Sequence, residues 1–307
     1  MNGQAVRTLE VRTDGLVGAF VAPDASRGPG LLALSGSDGG CPVYMARLLA
    51  EQGFPCLALR YFGARGLPRQ LVEVPIDYIE VAIQWLRDRP EVTGGRIGIV
   101  GASKGAELAL LSAALMPDRV GAVVGYAPSS VAFAGISMSR EGRRRSSWTW
   151  RGSALPFVPY PESFRPSVRL RGLSLAPVYQ LALANSEAVP SAAITIERSE
   201  AAILLISGDR DRMWPSSAMA GDLVSRLGGA GKGDLVEHLR YADAGHSFMP
   251  WRPNLGPEGL GKAIDAVRMT GWSGIFDLGG QPKANKEALH HAWPQVVAFL
   301  RRHAHFS

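Results

Sequence analysis

Short apolar runs alternate with helical segments along most of the chain, and this alternation constrains the fold more than any other feature. Residues 31–34, 56–61, 96–100, 120–126, 202–207 and 236–241 read as strands, most of them continuously apolar. Residues 42–52, 73–89, 104–115, 215–227 and 283–302 carry apolar positions at helical spacing. Strands separated by helices imply crossover units, a mostly parallel central sheet and helices on both of its faces. A hairpin precedes them: residues 5–13 and 16–22 alternate around Asp14-Gly15, a two-residue turn signal. No internal repeat interrupts the pattern, so one α/β domain spanning 1–307 is expected.

Residues 128–192 break the rhythm. They are rich in Pro, Ser, Arg and Trp and show weak periodicity. A connection of this length in a compact domain is usually functional. It reads as a lid inserted over the carboxyl ends of the strands, where open parallel sheets bind their ligands.

Composition excludes several classes. The chain is 46% hydrophobic and 20% charged, a globular balance. Its 33 Lys and Arg against 27 Asp and Glu leave a net charge of +6, part of it concentrated at Arg140, Arg143, Arg144, Arg145 and Arg151. That cluster suits either a phosphate-bearing ligand or a solvated surface. Without a stacking motif or a nucleic-acid-binding fold it does not argue for nucleic acid. Two cysteines, Cys41 and Cys56, exclude a disulfide framework, and no His/Cys/acid grouping has metal-ligand spacing, so no metal or other cofactor is expected. The glycines from Gly228 to Gly233 do not form a phosphate loop: Arg226 stands where its first glycine belongs, and Gly233 follows Lys232. No basic-then-apolar leader opens the sequence and no apolar stretch is long enough to cross a bilayer, so a soluble, cytoplasmic chain without a membrane span is the expectation.

The chemistry concentrates at Gly101-Ala102-Ser103-Lys104-Gly105. G-x-S-x-G is a weak pattern in a glycine-rich chain, but here it joins an apolar strand to a helix. That is where a nucleophilic serine on a sharp turn must sit, with small residues on either side. A serine hydroxyl needs a base to take its proton and an acid to orient the base. Asp211 follows the strand at 202–207 and His246 follows the strand at 236–241, which gives the order serine, acid, histidine. Asp209, directly after Gly208, reads as a turn cap and Asp243 as a turn residue. His238 reads as a sheet-face residue, and the four histidines of the C-terminal helix and tail as solvated. The backbone N–H of Lys104 and one from the glycine loop at 35–40, with Ser37 preferred, are the candidate oxyanion donors. The Lys104 side chain reads either as a solvated helix cation, the reading favoured, or as a group that meets a substrate anion. Arg143, Arg144 and Trp148 are the candidate substrate contacts, and Trp148 fits lid packing as well as an acyl-binding wall.

Nearly the whole chain resembles the C-terminal catalytic domain of the acyl-CoA thioesterase and bile acid-CoA:amino acid N-acyltransferase family. The sharpest match is Gly-x-Ser-Lys-Gly-x-Glu-Leu at 101–108. Residues 54–61, 76–92, Gly208-Asp209-Arg210-Asp211 with Trp214 and Ser216, Gly245-His246, and Gly279-Gly280-Gln281-Pro282 with Ala284, Trp293 and Phe299 also match. The resemblance implies an α/β-hydrolase fold, a catalytic acid at Asp211 and an acyl-serine formed from an acyl-CoA thioester. The family's transferases carry cysteine as nucleophile, so Ser103 points to hydrolysis, with transfer to an amine or alcohol, or ester and lactone hydrolysis, as alternatives. A non-catalytic binding protein is disfavoured because all three triad residues are present. Animal members carry a β-sandwich domain before this region, of which residues 1–25 hold at most a hairpin. The glycine loop Ser-Gly-Ser-Asp-Gly-Gly is more polar than the family's.

Overall fold

The computed structural model describes residues 4–24, 26–163, 167–169, 172–247 and 276–303. Strands β1 (Val6–Val11) and β2 (Val17–Pro23) form the opening hairpin. Asp14 and Gly15 take φ of 55° and 76°, and the Leu16 N–H donates to the Thr13 carbonyl. Two consecutive left-handed residues match the twist of a tight hairpin, and Asp-Gly supplies them at low cost. There follow β3 (Gly28–Leu34), α1 (Val43–Ala50), β4 (Cys56–Arg60), α2 (Asp77–Arg87), β5 (Val92–Ala102), α3 (Lys104–Leu115) and β6 (Val120–Tyr126). The insertion contributes α4 (Ala176–Leu183) and α5 (Ala188–Ala192). The chain then continues through β7 (Ala202–Gly208), α6 (Ser216–Gly229), β8 (Val236–Tyr241) and α7 (Pro282–Arg302).

The eight strands pair in the order β1-β2-β4-β3-β5-β6-β7-β8. β1–β2 and β2–β4 are antiparallel, and every pairing from β4 to β8 is parallel. Side-chain alternation divides the core. Leu32, Leu34, Leu57, Leu59, Ile97 and Ile99 pack with Ile79 and Ile83 of α2, Leu108 of α3 and Leu223 of α6. Leu31, Ala33, Cys56, Ala58, Val100 and Val124 pack with Met45 and Leu49 of α1 and with Val296 and Phe299 of α7. Both faces are therefore covered, which accounts for the continuously apolar strands.

The expected helix at 73–89 starts later, at Asp77. Glu73 is left-handed (φ 48°), and Val74–Pro75 instead forms a short parallel strand against Trp148–Thr149 of the insertion. Proline cannot donate an intrahelical bond and disfavours a helical residue before it. The insertion is more structured than its composition suggests. Short strands at Trp148–Trp150 and Ser153–Ala154, isolated bridges such as Phe133↔Val158, and α4 and α5 build it. Its own core joins Val131, Phe133, Val158 and Tyr179 to Trp214 and Met219 of the main domain. Among the described residues no helix is long and apolar enough to cross a membrane.

Candidate active site

Ser103 stands between the last residue of β5 and the first turn of α3, at φ 54° and ψ −120°. A non-glycine residue at positive φ costs about 1–3 kcal/mol and persists only where its surroundings impose it. Two close backbone approaches do so here. A Cβ at Gly101 would lie 2.2 Å from the Gly105 carbonyl oxygen, and one at Gly105 would lie 2.2 Å from that of Ser35. Both glycines of the motif are thus steric requirements of the turn. The Ser103 N–H donates to Tyr126 of the next strand at 2.8 Å, and its side chain makes no capping bond to its own helix. A serine that begins a helix ordinarily caps it; this hydroxyl is left available.

Asp211 and His246 extend from neighbouring strand ends. His246 Nδ1 lies 2.8 Å from Asp211 Oδ2, and both side chains are largely buried. Facing a carboxylate oxygen, Nδ1 carries the proton, which leaves Nε2 as the basic nitrogen. Asp211 is held by three further donors: the Met213 and Trp214 N–H groups at 2.8 and 3.2 Å on Oδ1, and the Ser216 hydroxyl at 2.6 Å on Oδ2. Trp214 packs its ring edge-on to His246 at 5.9 Å and donates Nε1–H to the Ala127 carbonyl, beside the strand end that receives Ser103. The closing segment straps the two loops together. Gly279 bridges to Asp211, Gly280 to Ala244, the His246 N–H donates to Leu278, and Asn285 Oδ1 accepts from Gly245. Asp209 lies apart, taken by Arg240 at 2.7 Å and Ser217 at 2.6 Å. Asp243 pairs with Arg210, and His238 Nε2 meets Ser207 Oγ within the sheet. Ser216 enters the sequence reading only as part of the acid-loop match, without a role, and the Asn285 amide is too common a signal to single out from sequence.

The glycine loop lies against Ser103, since a Cβ at Gly36 would come within 3.3 Å of Ser103 Cβ. Ser37 is exposed on the turn that follows. Among the described residues neither the Ser37 nor the Lys104 N–H has a hydrogen-bond partner.

The favoured reading of the Lys104 side chain is corrected, and the candidate substrate contacts are placed as follows. The Lys104 side chain is not solvated: it is 1% exposed and bonds Glu107 Oε1 at 2.6 Å. The same oxygen accepts Trp148 Nε1–H at 2.6 Å and the Phe133 N–H at 3.2 Å, so the elbow helix is tied to the insertion through one buried carboxylate. Burial pushes the Lys104 ammonium down from its ordinary pKa, against the raising influence of Glu107. Trp148 is fully buried, with Lys104 Nζ 5.1 Å from its ring, and is a packing residue instead of an exposed wall. Arg143 donates to the Ser137 and Met138 carbonyls, and Arg144 pairs with Glu162 at 3.0 Å. Among the described residues no hydrogen bond or ion pair links either arginine to Ser103, Asp211 or His246.

Solved structures share this fold. The acylaminoacyl peptidase of Pyrococcus horikoshii superposes with a TM-score of 0.61 at 15% identity, covering 99% of this chain and 42% of that one. A putative dienelactone hydrolase from Klebsiella pneumoniae gives 0.56 at 14% identity, covering 97% of this chain and all of that one. Among curated sequences, the mitochondrial acyl-coenzyme A thioesterase 2 of Mus musculus is 31% identical over 97% of this chain and 60% of its own length. Acyl-coenzyme A thioesterase 1 of Rattus norvegicus is 31% identical over 97% of this chain and 65% of its own. The chain therefore spans somewhat under two thirds of these relatives. The family model described as "BAAT / Acyl-CoA thioester hydrolase C terminal" matches residues 74–305, from the short strand before α2 through the C-terminal helix, and the chain belongs to that family.

Proposed function

We propose that the chain is a serine hydrolase of acyl thioesters, converting an acyl-CoA and water into the free acid and CoA. The observations that carry this reading are the His246 Nδ1–Asp211 Oδ2 hydrogen bond and, at the strand-to-helix turn, a left-handed serine whose hydroxyl does not cap its helix. Ser103 Oγ attacks the thioester carbonyl carbon as its proton passes to His246 Nε2. Asp211 stabilises the imidazolium and fixes its tautomer. The tetrahedral oxyanion is received by the N–H groups of Lys104 and Ser37, the first at the positive end of α3. The carbon–sulfur bond then breaks and the thiolate takes the proton from His246. Water attacks the acyl-serine, gives its proton to His246 and releases the acid and the free serine.

Residues 1–307 act in this reading as one catalytic domain, with the insertion at 128–192 as a lid over the strand ends. The similarity to relatives named acyl-coenzyme A thioesterases supports the choice of thioester. Serine in place of the cysteine of the related transferases supports water as acceptor. The test is thiol release from acyl-CoAs of short to long chain, with Ser103→Ala as control. Turnover that disappears in the variant is the expected result. Release confined to one equivalent would point to an amine or alcohol acceptor, and no release from any thioester would refute the substrate class.

A further inference from the structure

Tyr61 is fully buried at the end of β4, yet its hydroxyl is not idle. It lies 2.9 Å from the Ser35 carbonyl oxygen and 3.0 Å from that of Gly36, and it can only donate to them. These carbonyls belong to the loop that touches Ser103. In a trans peptide the C=O and the following N–H point in opposite directions, and no peptide bond of the described chain is cis. A Gly36 carbonyl held toward the buried phenol therefore turns the Ser37 N–H away from the floor. Rotation of that peptide plane would strip the half-buried carbonyl of its donor, a loss of about 1 kcal/mol.

Tyr61 is itself fixed. Its ring meets Phe62 at 5.2 Å and Trp148 at 5.9 Å between centroids. Burial, with Asp38 and Glu107 adding to it, raises its pKa well above 10, so the hydroxyl remains a donor across the working range of a histidine base. Nothing in the catalytic step consumes this group, and a phenylalanine would fill the same space.

We infer that Tyr61 is a positioning residue for the oxyanion site: by holding the Gly36 carbonyl it aims the Ser37 N–H at the developing charge. The inference rests on the serine-hydrolase reading above and adds the part that orients the second donor. Complete removal of one oxyanion donor typically costs 100- to 1000-fold in kcat. Loosening its peptide plane should cost less, about tenfold.

The test is Tyr61→Phe, measured first by the rate at which a fluorophosphonate labels Ser103. That reaction places a developing charge in the same hole and needs no thioester. Labelling about tenfold slower than wild type, with kcat on acyl-CoA reduced equally and KM within twofold, is the expected result. Equal labelling of Tyr61→Phe and wild type overturns the role of Tyr61 and leaves the serine hydrolase standing. A wild-type protein whose Ser103 is not labelled overturns both.

Ser37→Pro, which removes the N–H itself, completes a double-mutant cycle. In that background Tyr61→Phe should cost nothing more, and a further tenfold loss would mean that Tyr61 acts by another route, refuting the inference. If Ser37→Pro does not fold, a trifluoromethyl ketone that presents an oxyanion is compared with an uncleavable CoA thioether. Tyr61→Phe should weaken the ketone about tenfold and leave the thioether unchanged. Equal weakening of both would reduce Tyr61 to a structural residue.

Discussion

Replacing Glu107 with glutamine should destabilise the protein strongly at neutral pH, and less so as pH rises. The carboxylate is fully buried and its Oε1 receives Lys104 Nζ, Trp148 Nε1–H and the Phe133 N–H. Glutamine keeps an acceptor for the two neutral donors but leaves the ammonium without its counter-charge. Breaking a buried pair in this way costs about 3–5 kcal/mol, and the retained acceptor places this case near 3 kcal/mol. The pH dependence follows from Lys104. Burial already holds its pKa below the ordinary value, and the two influences that raise it, the charge and the hydrogen bond of Glu107, are lost in the variant. The unfolded chain keeps a normal lysine near pKa 10.4 and so binds more protons than the folded variant once pH exceeds the folded pKa. Stability of the variant therefore rises with pH in that window, by up to about 1.4 kcal/mol per pH unit. Urea unfolding of both proteins at pH 7, 8 and 9 should show the deficit shrinking as pH rises. A deficit that is constant or widens with pH would refute the assignment of a charged Lys104 in the folded state.

Three further outcomes follow from the geometry. Gly105→Ala would drive a Cβ against the Ser35 carbonyl and should abolish folding or activity, whereas Gly221→Ala in α6, with open space around it, should raise thermal stability by about 0.5–1 kcal/mol. Steady-state kinetics of Asp211→Asn should show kcat lowered by roughly 1000- to 10,000-fold through loss of the His246 tautomer, while Asp209→Asn, bound to Arg240 and Ser217, should stay within about threefold in the same assay. Burial raises the phenols of Tyr78 and Tyr179 to about 12 and that of Tyr160 well above 10. The unfolded chain loses those protons from about pH 10 while the folded one keeps them. The urea midpoint should therefore fall steeply between pH 10 and 12 and be insensitive to these groups below pH 9.

The hairpin, the parallel sheet and the pairing of Asp211 with His246 are legible because each is written in local sequence. Asp-Gly marks a left-handed turn, apolar runs mark doubly covered strands, and each triad residue follows its own strand. Of the two acids after β7, His246 meets Asp211, whereas Asp209, read as a turn cap, instead receives Arg240 and Ser217. Lys104 was not legible, because a lysine in the first turn of a helix ordinarily reaches solvent. α3 is instead enclosed between the sheet and the insertion, and every residue from Lys104 to Ala114 is buried. One signal was present: from Ala106 to Leu115 the helix is apolar on all sides except for Glu107 and Ser112, as a fully enclosed helix is. The partners of Trp148, Arg143 and Arg144 lie 18 to 41 residues away or in carbonyls of their own loop, where no periodicity reveals them. Tyr61 reads as the last residue of a strand, and only the fold brings its hydroxyl beneath the glycine loop.

The central claim is a covalent acyl-serine, and intact-protein mass spectrometry after rapid acid quench with a slowly hydrolysed acyl-CoA tests it most directly. The expected result is an increase equal to one acyl group, located by peptide mapping to Ser103, which accumulates and decays as CoA and acid appear and is missing in Ser103→Ala. Turnover without any adduct in the wild type, or an adduct that persists in Ser103→Ala, would contradict it.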